Sequence, residues 1–208
     1  MIKPFQIFLA IALVGCAPKP MIVAVDSQPD FYAWWLRATF HPQGKSLRGI
    51  LVNEINPEWC SIDELEKSIF PKPIEAGPSD WEPTSDAATY STTGLDLGNR
   101  SSRLVLAVYR ECTGDTGTAL VLLEQGKSGQ YLLITAEPIA SPATWATMEL
   151  ISPTAVRIAW CFNCDSFVDF EWDPRAQRLN AVPEEDHEDL GIAAPNNSFN
   201  PMPLRGTG

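Results

Sequence analysis

From Arg103 onward the chain repeats one pattern, in which short apolar runs rich in β-branched and aromatic residues alternate with turn-forming residues. The runs are Leu104 to Arg110, Ala119 to Glu124, Gln130 to Glu137, Met148 to Ile151, Ala155 to Trp160, Phe167 to Trp172 and Gln177 to Val182. Between them lie Thr113 to Gly117, Gly126 to Gly129, Ser152-Pro153 and Asp173-Pro174, each short enough to join antiparallel neighbours. Upstream, Phe31 to Phe40 sets Tyr32, Trp34, Leu36, Ala38 and Phe40 on one face at period two, with Phe31, Trp35, Arg37 and Thr39 on the other. The first of these faces is the predicted core side.

After the turn at His41-Pro42-Gln43-Gly44, a second strand is expected over Arg48 to Ile55. Ser61 and Glu64 have the spacing of a capping box, which predicts a short helix from Ile62 to about Phe70, stopped by Pro71 and Pro73. Lys72 to Ser102, rich in Pro, Ser, Thr, Gly and Asp, reads as a long loop carrying Trp81 and Tyr90. The fold class is therefore mainly β: a single antiparallel meander over residues 31–182, closing into a barrel or folding into a sandwich, with one short helix and a long loop. Its expected core comprises Trp34, Leu36, Leu106, Val108, Leu120, Leu122, Leu132, Ile134, Ile158, Trp160, Phe170 and Trp172. Residues 183–208 turn acidic and then rich in Pro and Asn, the composition of a disordered tail.

The N-terminus has a different character. An apolar run from Phe5, behind the lone charge Lys3, is about ten residues long, against the ~20 a spanning helix needs, and so reads as a secretory signal. It closes on Leu13-Val14-Gly15-Cys16, which resembles the bacterial lipobox. That resemblance implies removal of residues 1–15 and acylation of Cys16 at its thiol and new amino terminus. Residues 16–30, with Pro18, Pro20 and Pro29, then form a lipidated tether, with a first strand possible in the apolar patch Met21 to Val25. The domain is expected in the periplasm or cell exterior, bound to the membrane through Cys16. Ala17 stands where the enterobacterial sorting rule has an inner-membrane retention Asp, so the resemblance implies the outer membrane where the source has one.

A formal charge of −11 argues against nucleic acid and anionic headgroups as partners. Of the five cysteines, Cys16 is assigned to lipid, which leaves an even set for an oxidising compartment: Cys60, Cys112, Cys161 and Cys164. Of their possible pairings, Cys60 with Cys112 and Cys161 with Cys164 is favoured. A thioredoxin-like role for Cys161-Phe162-Asn163-Cys164 would need the CxxC to open a helix, but here it lies between two strand patterns. A four-thiolate zinc site would need a second close pair.

Asp115-Thr116-Gly117 matches the catalytic triplet of aspartic proteases, although Thr113-Gly114 stand where that family has apolar residues and a second triplet would have to come from another copy. Asp165, Asp169, Glu171 and Asp173 share one strand face, which suits a solvated surface better than a wrapped calcium ion. Trp35 with Arg37, or Trp81, is a candidate platform for stacking a glycan ring. His41 and His187 suit neither a triad nor a metal centre, and no HExxH, GxSxG, GxGxxG or P-loop occurs. Ser128-Gly129-Gln130-Tyr131 resembles the Ser-Gly-x-x-Tyr segment of periplasmic C-type lysozyme inhibitors, with one intervening residue fewer. No catalytic group has both a partner and a setting, and no cofactor or metal is expected. The reading is a membrane-tethered binding or assembly module for a protein partner in the cell envelope.

Overall fold

The computed structural model describes residues 21–25, 35, 38–70, 83–84, 86, 88–98, 101–160 and 166–183. In chain order the elements begin with strands β1 (Ile22–Val25) and β2 (Ala38–His41), which pair with each other. A small hairpin, β3 (Ser46–Leu47) and β4 (Ile50–Leu51), runs straight into the one-turn helix α1 (Val52–Ile55). Then come β5 (Trp59–Glu64), β6 (Ser91–Thr92), β7 (Ser102–Glu111), β8 (Thr116–Gln125) and β9 (Tyr131–Ala140), joined in one antiparallel sheet. The last four, β10 (Thr147–Ser152), β11 (Ala155–Ala159), β12 (Phe167–Asp173) and β13 (Arg178–Ala181), form a second antiparallel sheet in sequence order.

The seven runs read after Arg103 are the seven strands β7 to β13. Leu104 to Tyr109 and Ala119 to Leu123 are unbroken apolar runs without polar alternation, and the packing explains it: β7 and β8 are buried on both faces. One face, with Leu104, Leu106, Val108, Leu120 and Leu122, packs on Val156, Ile158, Phe170, Trp172 and Leu179 of the second sheet. The opposite face, with Val105, Ala107, Tyr109, Ala119, Val121 and Leu123, continues onto Trp59 and Ile62 of β5 and packs with Leu47, Ile50, Val52 and Ile55. The first cluster also takes in Met21, Trp35 and Phe40 from the β1–β2 region.

The two large sheets are joined along one side. Tyr90 C=O accepts the N–H of Leu106 at 2.9 Å, while Thr89 C=O accepts the Met148 N–H at 2.8 Å, so the chain beside β6 ties β7 to β10. Thr147 Oγ1 accepts the Thr89 N–H at 3.0 Å and strengthens that tie. Across the molecule β9 and β13 approach each other, but among the described residues they are not paired. The result is a sandwich hydrogen-bonded along one side and open along the other.

The meander breaks between β9 and β10, where the chain crosses from one sheet to the other through residues 141–146. Thr118 Oγ1 anchors this crossing by donating to Thr144 C=O at 2.9 Å and accepting the Thr144 N–H at 3.1 Å. On the outer face of the second sheet, Arg157 opposes Asp169 across β11 and β12, and two bonds of 2.8 Å join the guanidinium to both carboxylate oxygens. The Phe167 ring lies 3.9 Å from the Arg157 guanidinium carbon. At the β12–β13 turn, Asp173 Oδ1 accepts the N–H groups of Ala176 and Arg175, which holds its carboxyl below the usual aspartate range. Bonding of that kind stabilises the turn above the ordinary aspartate pKa and is lost as pH falls through the lowered one.

Local signals misplaced the N-terminal half in several ways. The expected strand Arg48 to Ile55 is a hairpin followed by α1, because Arg48 and Gly49 take φ of 51° and 89° and turn the chain between β3 and β4. The expected helix Ile62 to Phe70 is instead β5 followed by a 3-10 turn, Lys67–Ile69. Pairing with β7 overrides the capping signal: Glu64 bonds Arg48 rather than a backbone N–H, and Ile62 is wholly buried in the second cluster. Of the expected strand Phe31 to Phe40, the described end from Ala38 is β2, which pairs with β1 inside the stretch read as a tether, while Trp35 stands in a 3-10 turn. In the expected long loop, Ala88, Tyr90 and Leu95 are buried and Ser91–Thr92 pair with β7. Trp34 and Leu36 lie outside the described residues, and Leu132, expected in the core, is 60% exposed.

Cys60 and Cys112 form a disulfide across 52 residues, tying β5 to the end of β7 beside the stacked rings of Trp59 and Tyr109. Removing it through Cys60→Ser with Cys112→Ser should lower stability by roughly 4 kcal/mol, the chain-entropy figure for a loop of this length and an upper value. Reducing and non-reducing denaturant melts of the parent protein should show the same difference. Leu106→Ala, at a position with no exposure, should cost ~2–5 kcal/mol, whereas Leu132→Ala should stay within about 0.5 kcal/mol. Equal losses at the two positions would contradict the burial described.

Candidate functional site

The strand β9 is ten residues long and ends its sheet, pairing with β8 on one side only. Among the described residues no strand pairs with its outer edge. Its register against β8 shifts twice, leaving Ile134 and Ile139 as extra residues, each packed on the first core cluster. Tyr131, Leu133 and Ala136 pack on the second cluster instead. Leu132 belongs to neither and is exposed, and Pro138 brings no N–H to the strand. A row of backbone groups and half-buried aliphatic side chains is therefore presented along one open side of the sandwich.

A hollow lies at each end of this strand. At the first, about 420 Å³, residues Gln130 to Leu133 face Arg48, Gly49, Ile50 and Glu54. Arg48 is held by Glu64 through bonds of 2.7 and 2.8 Å, which raise its pKa further above the ordinary arginine value, and it lies 6.0 Å from the Tyr131 ring centre. At the second, about 520 Å³, Ile139 and Ala140 meet the crossing residues Ser141, Pro142 and Thr144 together with Trp145 and Trp160. Trp145 is fixed from behind, since its Nε1 donates to the Tyr90 hydroxyl at 2.9 Å and that hydroxyl donates to Pro83 C=O at 2.7 Å. Burial pushes the Tyr90 phenol well above its usual pKa, so this donor chain stays protonated. Thr144 Oγ1 is buried with no partner among the described residues. Both hollows have volumes within the ~300–1,000 Å³ range of ligand pockets, but they are open to the side and are joined by a strand edge.

The residues singled out by sequence fall in different places. Cys16, Arg37, Trp81, Cys161, Cys164 and Asp165 lie outside the described residues. Trp35, proposed as a stacking platform, is 6% exposed and meets Trp145 edge-on with ring centres 6.1 Å apart. It is a core residue. The period-two assignment failed there because Trp35 stands in a 3-10 turn, where strand parity does not set the side a residue faces. Asp115 lies exposed in the β7–β8 turn, where its carbonyl accepts the Glu111 N–H at 2.8 Å. Asp169, read as one of a carboxylate row, is wholly buried with both oxygens on Arg157. Among the described residues no three His, Cys, Asp or Glu side chains converge as metal ligands would. Ser128 and Gly129 make the β8–β9 turn, and Gln130 and Tyr131 line the first hollow.

Sequence reasoning took β9 for an ordinary member of the meander. The signal for an edge is Pro138, directly after the run Gln130 to Glu137 and inside β9, since a proline cannot donate to a second ladder. Compared with known proteins, the chain matches no family model, no curated protein and no solved structure.

Proposed function

We propose that this chain is an exported lipoprotein, held in the cell envelope by lipid on Cys16, that acts as a binding or assembly module for a protein partner. The observation that carries the binding part is the unpaired outer edge of β9, ten residues long with Leu132 exposed and a hollow at either end. An extended chain added there would gain main-chain hydrogen bonds for affinity and side-chain seats for specificity. The anchor rests on the lipobox resemblance of Leu13 to Cys16. Each buried methylene contributes ~0.8 kcal/mol, so several acyl chains together hold a protein to a bilayer in practice irreversibly. A second reading, an inhibitor similar to the C-type lysozyme inhibitors, draws on Gln130 and Tyr131 lining the first hollow.

Two measurements test the proposal. Cys16→Ser should move the protein from the membrane fraction to the soluble fraction, and an unchanged membrane pool would remove the anchor from the account. A photo-crosslinking residue at Leu132 should give a discrete protein adduct in cells, while the same residue at exposed Glu171 on the second sheet should not. The inhibitor reading expects the purified protein to slow lysozyme, with Tyr131→Ala relieving the effect.

A further inference from the structure

We infer that the outer edge of β9 takes up an extended, positively charged segment of its partner as an added strand; this deepens the binding role proposed above and rests on it. The sandwich is hydrogen-bonded around its circumference except where β9 meets β13. There the two edges are unequal, ten residues against four, or ~33 Å against ~13 Å at the usual rise, so β13 can flank less than half of β9. Most of the β9 ladder is left without a neighbour among the described residues. The two hollows touch β9 at Tyr131 to Leu133 and at Ile139 to Ala140, so side chains seated in both would come from one strand about eight residues long.

Charge decides the chemistry of the occupant. Of the cations near this edge, Arg48 bonds Glu64 and Arg178 stands opposite Asp173, while Lys127 lies in the exposed β8–β9 turn, outside the strand itself. Glu54, in the first hollow, and Glu137, within β9, have no cation partner among the described residues, and β9 itself carries no Lys or Arg. The whole chain bears −11, so a second copy is repelled while a basic segment is attracted. The two register shifts and Pro138 also disfavour pairing of one β9 edge with another.

The test uses the full chain in detergent with three nine-residue peptides: alternating Ile and Lys, alternating Ile and Glu, and the Ile/Lys peptide with proline at its centre. The Ile/Lys peptide should bind at least tenfold more tightly than either of the others and should slow hydrogen exchange within residues 131–140. The Glu54→Gln, Glu137→Gln double variant, the first site exposed and the second half-buried, should weaken that binding severalfold and flatten its salt dependence. Equal binding of the acidic peptide, equal binding of the proline-interrupted peptide, or protection mapped to other strands would overturn the inference. So would concentration-dependent dimerisation that the Ile/Lys peptide does not compete. A discrete adduct at Leu132 without peptide protection of β9 would leave the binding role standing and remove strand addition; absence of any adduct would count against the role itself.

Discussion

The structure depends on the burial of β7 and β8 on both faces. Ten apolar positions from Leu104 to Val108 and from Ala119 to Leu123 have no exposure at all, and each needs a cover on its own side. The second sheet supplies one cover, and the β3–β4 hairpin and α1 supply the other, where Trp59 and Ile62 of the neighbouring β5 extend the same face. Strands this apolar are insoluble unless sandwiched, so the remaining elements follow from the requirement to shield this pair.

That requirement also determines where the molecule stays open. Covering both faces of a central pair fixes layers above and below but leaves the edges of the sheet to be managed separately. On one side the chain at Thr89 to Thr92 bridges β10 to β7 and the Cys60–Cys112 bond ties β5 to β7. On the other side, β9 ends its sheet with only a proline and two register shifts to blunt it. The outer face of the second sheet is closed off differently, by the buried Arg157–Asp169 pair under Phe167. Breaking such a pair leaves an uncompensated charge, so the contact ties β11 firmly to β12.

The C-terminal half of the fold was legible because its signals are local. Val, Ile, Leu and aromatic runs punctuated by Gly and Pro define β7 to β13 from the turns alone. The N-terminal half was not, since its elements exist to cover someone else's surface. Ser61 and Glu64 offer a helix cap, but the neighbouring ladder of β7 and the burial of Ile62 take that segment as a strand. Arg48-Gly49 turns the chain at positive φ in a two-residue hairpin, and the Arg48 side chain then bonds Glu64, sixteen residues on. Trp35 was misassigned for a similar reason: its parity in an extended strand would face outward, but it stands in a 3-10 turn and packs on Trp145. The open edge was half legible in Pro138, whereas the hollows at its ends arise from contacts that no single stretch of sequence encodes.

Native-state hydrogen exchange of the free protein tests this account most directly, because it separates the shielded pair from the open edge residue by residue. The account predicts that amides of Leu104 to Val108 and Ala119 to Leu123 exchange only through global unfolding, while the β9 amides not bonded to β8 exchange orders of magnitude faster. Uniform protection across β7, β8 and every amide of β9 would contradict it.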